Sequence, residues 1–125
     1  MSLYDITAAE FDRHRALPSG VAEAIRAAVL DAAGVARPRV LDLGAGTGRI
    51  GWPFVAAGDD YVAADLSFGM LRTFANRPET VRRMPRLVQA DGLKLPFRDE
   101  TFDAVMLVQV SPPGTRPKPL LYMHH

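Results

Sequence analysis

Three glycines at alternate positions, Gly44, Gly46 and Gly48, follow directly on the apolar run Val40, Leu41, Asp42, Leu43. A glycine-rich turn after a strand lets the backbone bend tightly and approach a ligand with no side chain between them. Two acids stand at comparable places downstream. Asp65 closes the run Tyr61 to Ala64, twenty-one residues after Gly44, and Asp91 follows the run Arg86 to Ala90. A carboxylate at a strand end can accept both hydrogen bonds of a ribose diol. A glycine turn, an acid and a second acid at successive strand ends therefore point to an adenosine-containing ligand, with ribose on Asp65 and the base near Asp91. The bland alternatives are a tight turn, a helix N-terminal acid at Asp65, and a turn residue at Asp91 before Gly92. No catalytic residue follows from spacing. His14 is a candidate base set against an ordinary surface histidine, and Arg15 and Arg49 are candidate carboxylate partners set against solvated helix charges.

These residues need elements to position them. Thr7 to Glu10 forms a capping box that predicts a short helix to about Arg15, ended by Pro18. A second helix is expected from Ser19, with Val21, Ile25, Ala28 and Val29 on one face and Gly34 as its stop. After the glycines a further helix is expected to reach Ala57, with Gly58 as its stop. Pro53 must sit within its first turn or two, which allows a late start. Ser67 caps a helix to about Ala75, short of Pro78. Phe102 to Val110 reads as a fourth strand whose continuously apolar interior is that of a strand buried on both faces. Strands alternating with helices predict an α/β fold, a parallel sheet with helices on both faces. Trp52 and Phe54 are expected in the core.

Composition narrows the classes. The chain has 125 residues, enough for one core and too few for two. With no cysteine, and with His124 and His125 at the very end, a metal site is not expected. Fifteen basic against fourteen acidic residues give no global reason to bind nucleic acid or an acidic membrane. No apolar run approaches the ~18 residues of a membrane span, and the start lacks the pattern of a signal peptide, so a soluble cytoplasmic protein is expected.

Val40 to Gly48, reading V-L-D-L-G-A-G-T-G, resembles the nucleotide-loop motif of class I S-adenosylmethionine-dependent methyltransferases. Asp65 matches their acid after the second strand. Asp91 to Phe97 with Thr101, Phe102 and Asp103 resembles the segment around their third and fourth strands. The likeness is to the small-molecule group that includes the ubiquinone and menaquinone biosynthesis enzymes, and it covers roughly residues 38 to 110. It implies a Rossmann-like core at residues 37–110 behind two cap helices at 1–36, corresponding to the N-terminal half of that fold. It further implies S-adenosylmethionine as cofactor, held by Asp42, Gly44, Ala45, Gly46, Gly48, Asp65, Leu66, Asp91 and Gly92, and an unidentified small-molecule acceptor. By the same resemblance Asp42 organises the loop near the methionine part of the cofactor, and the N-terminal helix closes over it.

A dinucleotide-binding Rossmann domain is the minor alternative. Its fingerprint places the last glycine three after the second, whereas Gly48 comes two after Gly46, although Gly51 extends the pattern. Ser111 to His125 carries Pro112, Pro113, Pro117 and Pro119, a density that predicts an irregular tail and neither helix nor interior strand. The family fold continues past its fourth strand where this chain turns proline-rich, which suggests a truncation or frameshift and an incomplete, inactive enzyme. On that expectation the fourth strand is an unpaired apolar edge. It is then covered by a second copy or another chain, or it makes the protein a non-catalytic remnant that interacts by strand pairing.

Overall fold

A computed structural model describes residues 2–5, 19–91, 101–108 and 119–123, the first and last of these as backbone. Among them are six strands: β1 Ser2–Asp5, β2 Arg39–Leu43, β3 Asp60–Asp65, β4 Arg86–Gln89, β5 Ala104–Val108 and β6 Pro119–Met123. They form one sheet in the order β1-β6-β5-β2-β3-β4. β5, β2, β3 and β4 are parallel, in the register Val40↔Ala104, Val40↔Tyr61 and Val62↔Arg86. The four predicted strands are thus present and parallel, and the expected α/β architecture is the one found.

Three helices are described: α1 Val21–Ala33, α2 Trp52–Ala57 and α3 Phe68–Ala75. α1 ends at Gly34 in the left-handed conformation, as its sequence expects. Its buried face is Ala22, Ile25, Val29 and Ala33; Ile25 and Val29 are as expected, Val21 is half-buried against the same core, and Ala28 is exposed. α2 starts late, at Trp52, because Pro53 fits only where no amide is needed. α3 is capped by the Ser67 hydroxyl, which accepts from the Met70 amide at 3.2 Å.

All three helices pack on one face of the sheet. Ile25, Val29, Phe54, Val55 and Phe74 share a core with Val40, Tyr61, Ala63, Ala104 and Met106. Phe54 and Phe74 are fully buried, each stabilising by about 1.5–3 kcal/mol relative to exposure. Trp52 is only half-buried. The opposite face gathers Leu41, Val62 and Ala64 with Leu43, Val88, Phe102 and Val105. Helices on both faces were expected, but among the described residues that second face carries none. Alternation of strands and helices fixes the direction of the strands and leaves open which side each helix takes.

The tail departs further from expectation. Pro119–Met123 is a strand, antiparallel to β5 on one side and to β1 on the other. Pro119 stands at its first residue, where a missing amide is tolerated, and four residues without proline, Leu120 to Met123, follow. The fourth parallel strand is therefore an interior strand paired by this chain itself, which removes the exposed edge on which strand-pairing interaction was expected. The predicted helix at residues 7–15, with His14 and Arg15, and residues 109–118 lie outside the described residues. No helix of the described residues is long and apolar enough to cross a membrane.

Candidate functional site

Parallel pairing brings the C-terminal ends of β2, β3 and β4 to one edge. Gly44, Asp65 and Asp91 all stand there, as their positions after three apolar runs predict. The loop after β2 is hung on β3: the amides of Gly44 and Ala45 both donate to the Ala64 carbonyl, at 2.8 and 3.1 Å. Gly44, Gly46 and Gly48 each have positive φ, between 60° and 80°. At Gly48 a side chain is doubly excluded, since a Cβ would also lie 2.5 Å from the Phe74 ring. Gly44 is different, because a Cβ there would meet nothing within 4 Å. Its backbone faces open space at the strand ends.

Asp65 joins the elements of this edge. One carboxylate oxygen accepts from the Gly46 amide and the other from the Ser67 amide, each at 2.8 Å. The loop after β2 and the start of α3 are thus fixed by one half-buried side chain. A carboxylate has about four acceptor sites, and these bonds use two of them. Beside it Leu66 is 70% exposed, and its carbonyl accepts from Gln89 Nε2 at 3.1 Å. The Ala90 amide donates to the Asp65 carbonyl at 3.1 Å, which holds the exposed Asp91 against the same edge. Gly92 lies outside the described residues.

Asp42 sits beneath the loop, 2% exposed, and accepts from the Tyr61 hydroxyl at 2.5 Å. Burial, with the negative Asp42 beside it and the hydrogen bond to Asp42, pushes the Tyr61 hydroxyl well above the usual tyrosine range, so that it stays protonated as a donor. Tyr61 also stacks on Phe54 with ring centroids 5.0 Å apart. Gly51 completes the knot: a Cβ there would fall on the Tyr61 hydroxyl and 2.9 Å from the Asp42 carboxylate. Tyr61 carries no motif in the sequence, and Gly51, which the sequence offers as an extension of the glycine pattern, is needed here for space. The available signal was that a tyrosine inside a buried strand needs a polar partner, and the strand next door carries one acid.

The donor set fits an adenosyl group. Asp65 retains acceptor capacity at the strand ends, Leu66 offers apolar surface beside it, and the Gly44 backbone leaves room that a side chain would fill. Groups of three or more acidic or histidine residues able to hold a metal are absent among the described residues.

A parallel sheet with a glycine turn after its first parallel strand and an acid after its second defines a nucleotide-binding α/β fold. A methyltransferase-domain family profile matches residues 40–119, most of the chain, and the chain belongs to that family. The resemblance seen in Val40 to Gly48 is thereby borne out, and the dinucleotide alternative is set aside. Demethylmenaquinone methyltransferase of Streptomyces griseus subsp. griseus is 42% identical over 109 residues, covering 85% of this chain and 45% of that protein. The glycopeptide N-methyltransferase MtfA complexed with S-adenosyl-L-methionine is 33% identical, with a TM-score of 0.50 over 67% of this chain and 38% of its own. The [4+2]-cyclase SpnF superposes with a TM-score of 0.58 at 21% identity, over 81% of this chain and 38% of its own, a likeness of fold alone. The chain spans less than half the length of these proteins.

Proposed function

We propose that this chain binds S-adenosylmethionine at the C-terminal edge of β2, β3 and β4, and serves methyl transfer to a demethylmenaquinone-like small molecule in the cytoplasm. The observation that carries the reading is Asp65, a carboxylate anchored by Gly46 and Ser67 at the edge where the Gly44 backbone faces open space. S-adenosylmethionine, when bound, supplies a methyl group on a sulfonium that already contains its leaving group. What the chain's residues must do is bind and align. Asp65 accepts from the ribose hydroxyls through its remaining lone pairs. Leu66 packs on the base, with Asp91 at its edge. Ala45, Gly46, Gly48 and the masking of Asp42 by Tyr61 fix the loop in the shape that receives the rest of the cofactor. The acceptor class is carried over from the relatives.

Calorimetric titration of the full chain with S-adenosylmethionine and S-adenosylhomocysteine tests this. Binding of both is expected, and Asp65→Ala weakens it by about 1–3 kcal/mol. No heat with either ligand on folded protein would refute the reading, and unchanged affinity in Asp65→Ala would remove the role given to that carboxylate.

A further inference from the structure

Six large hydrophobic side chains are exposed among the described residues, and five of them fall between Leu66 and Met84. Leu66 belongs to the proposed cofactor edge. The other four are Phe68 at 62%, Met70 at 47%, Val81 at 81% and Met84 at 77% exposed. The same stretch contains Arg72, Arg77, Arg82 and Arg83 against a single acid, Glu79. Glu79 is taken up by Arg77, at 3.1 Å. Arg72, Arg82 and Arg83 make no ion pair among the described residues. Phe68 and Met70 open α3 at the C-terminal edge of the sheet, whereas Val81 and Met84 precede β4 at the opposite edge, so in a chain that is nearly neutral as a whole the turn before β4 is a separate basic and apolar surface away from the proposed cofactor edge.

The turn Val81-Arg82-Arg83-Met84 is exposed at all four positions and is held from behind. Thr80, 1% exposed, anchors its start by donating to the carbonyls of Arg77 and Phe74, and the Arg83 amide donates to the Thr80 carbonyl at 3.2 Å. The buried Pro85 anchors its end. The Arg83 guanidinium lies against Gly58, where a Cβ would strike it. Val81 and Met84 are therefore presented to solvent by a turn fixed at both ends, with two arginines between them. Apolar tips interleaved with cations match a bilayer interface, where the tips enter the acyl boundary and the guanidinium groups meet anionic headgroups. A nucleic acid would use the arginines and leave Val81 and Met84 without a partner.

We infer that the Val81–Met84 turn, with Arg82 and Arg83 within it, is a docking surface for an anionic lipid bilayer, with Val81 and Met84 as its inserted tips. Contact is peripheral, with an apolar and an electrostatic part, and it departs from the absence of membrane binding that overall charge leads one to expect. Sedimentation of the full chain with extruded vesicles, without cofactor, tests the inference independently of the proposed methyltransferase site. The chain is expected to sediment with phosphatidylglycerol-rich vesicles, to be released by salt, and to stay in solution with phosphatidylcholine alone. Arg82→Gln with Arg83→Gln lowers the partition coefficient by roughly 25-fold, about five-fold per arginine. Val81→Ser with Met84→Ser, which leaves the charge intact, lowers it by a similar order. Both double variants sit on exposed positions and should melt with the wild type. No sedimentation with anionic vesicles overturns the proposal. So does unchanged partitioning of the Val81→Ser, Met84→Ser variant, which would point to a purely ionic surface such as one for an acidic polypeptide.

Discussion

Tyr61 places its hydroxyl on a carboxylate that water does not reach, and what this is worth can be measured by removing one atom. In Tyr61→Phe the ring and its stacking on Phe54 survive, but Asp42 loses a donor while still buried, an arrangement that costs about 1–3 kcal/mol. Thermal or denaturant unfolding at neutral pH should show that loss. The pH dependence has a definite sign. Burial, then the charge of Asp42 and its hydrogen bond, raise the Tyr61 pKa in the fold above its unfolded value. Its contribution is therefore complete below about pH 10 and declines as pH rises through the window above it. The advantage of wild type over Tyr61→Phe should narrow by up to about 1.4 kcal/mol per pH unit above 10. A constant difference from pH 8 to 11 would mean that Tyr61 does not stay protonated in the fold. Asp42 was singled out by its place before the glycines. Its partner was not, because a tyrosine in an apolar strand reads as core until the register puts it diagonal to the acid.

The loop between β2 and α2 contains glycines required for different reasons, and substitution separates them. Gly51 has φ of −83°, a value any residue adopts, so its requirement is steric. Alanine there drives a methyl into Asp42 and Tyr61 and should destabilise the fold by about 1–3 kcal/mol. Gly44 has φ of 69° with open space beyond it, so alanine meets only the backbone penalty of roughly 1–2 kcal/mol. The protein should still fold, with a methyl now standing where the ligand's approach is proposed. Affinity for S-adenosylhomocysteine should fall about ten-fold or more, close to 1.4 kcal/mol. If Gly44→Ala binds as wild type does, the open space is not the cofactor's. The four parallel strands and this loop were legible because apolar runs ending in glycine or aspartate have few other readings. The helix faces were less so. The α1 stripe keeps Ile25 and Val29 but has Ala22 and Ala33 where Ala28 was expected, and nothing in the order of elements said that α1, α2 and α3 would share a face.

On the scale of the whole molecule, the least legible element is also the one that closes the sheet. Counting prolines from Ser111 onward hid a strand because the penalty of proline depends on where it stands, and Pro119 stands at the strand's first residue. The continuously apolar pattern of β5 speaks of cover on its two faces and leaves open which strands pair with its two edges. β2 takes one and β6 the other. β1 pairs with β6 alone, so both ends of the described chain depend on one five-residue strand. A chain ending at residue 118 would lose that pairing at two interfaces, leaving β5 with unpaired amides and carbonyls along an apolar edge and β1 with no partner. Such a chain should melt at a lower temperature than the full chain and scatter light at concentrations where the full chain stays monodisperse. Its parallel strands and glycine loop are still encoded, so any monomeric fraction should retain affinity for S-adenosylhomocysteine. A truncated chain as stable and as monodisperse as the full one would show that β6 contributes nothing to closing the edge, and would restore the exposed strand as a surface for other partners.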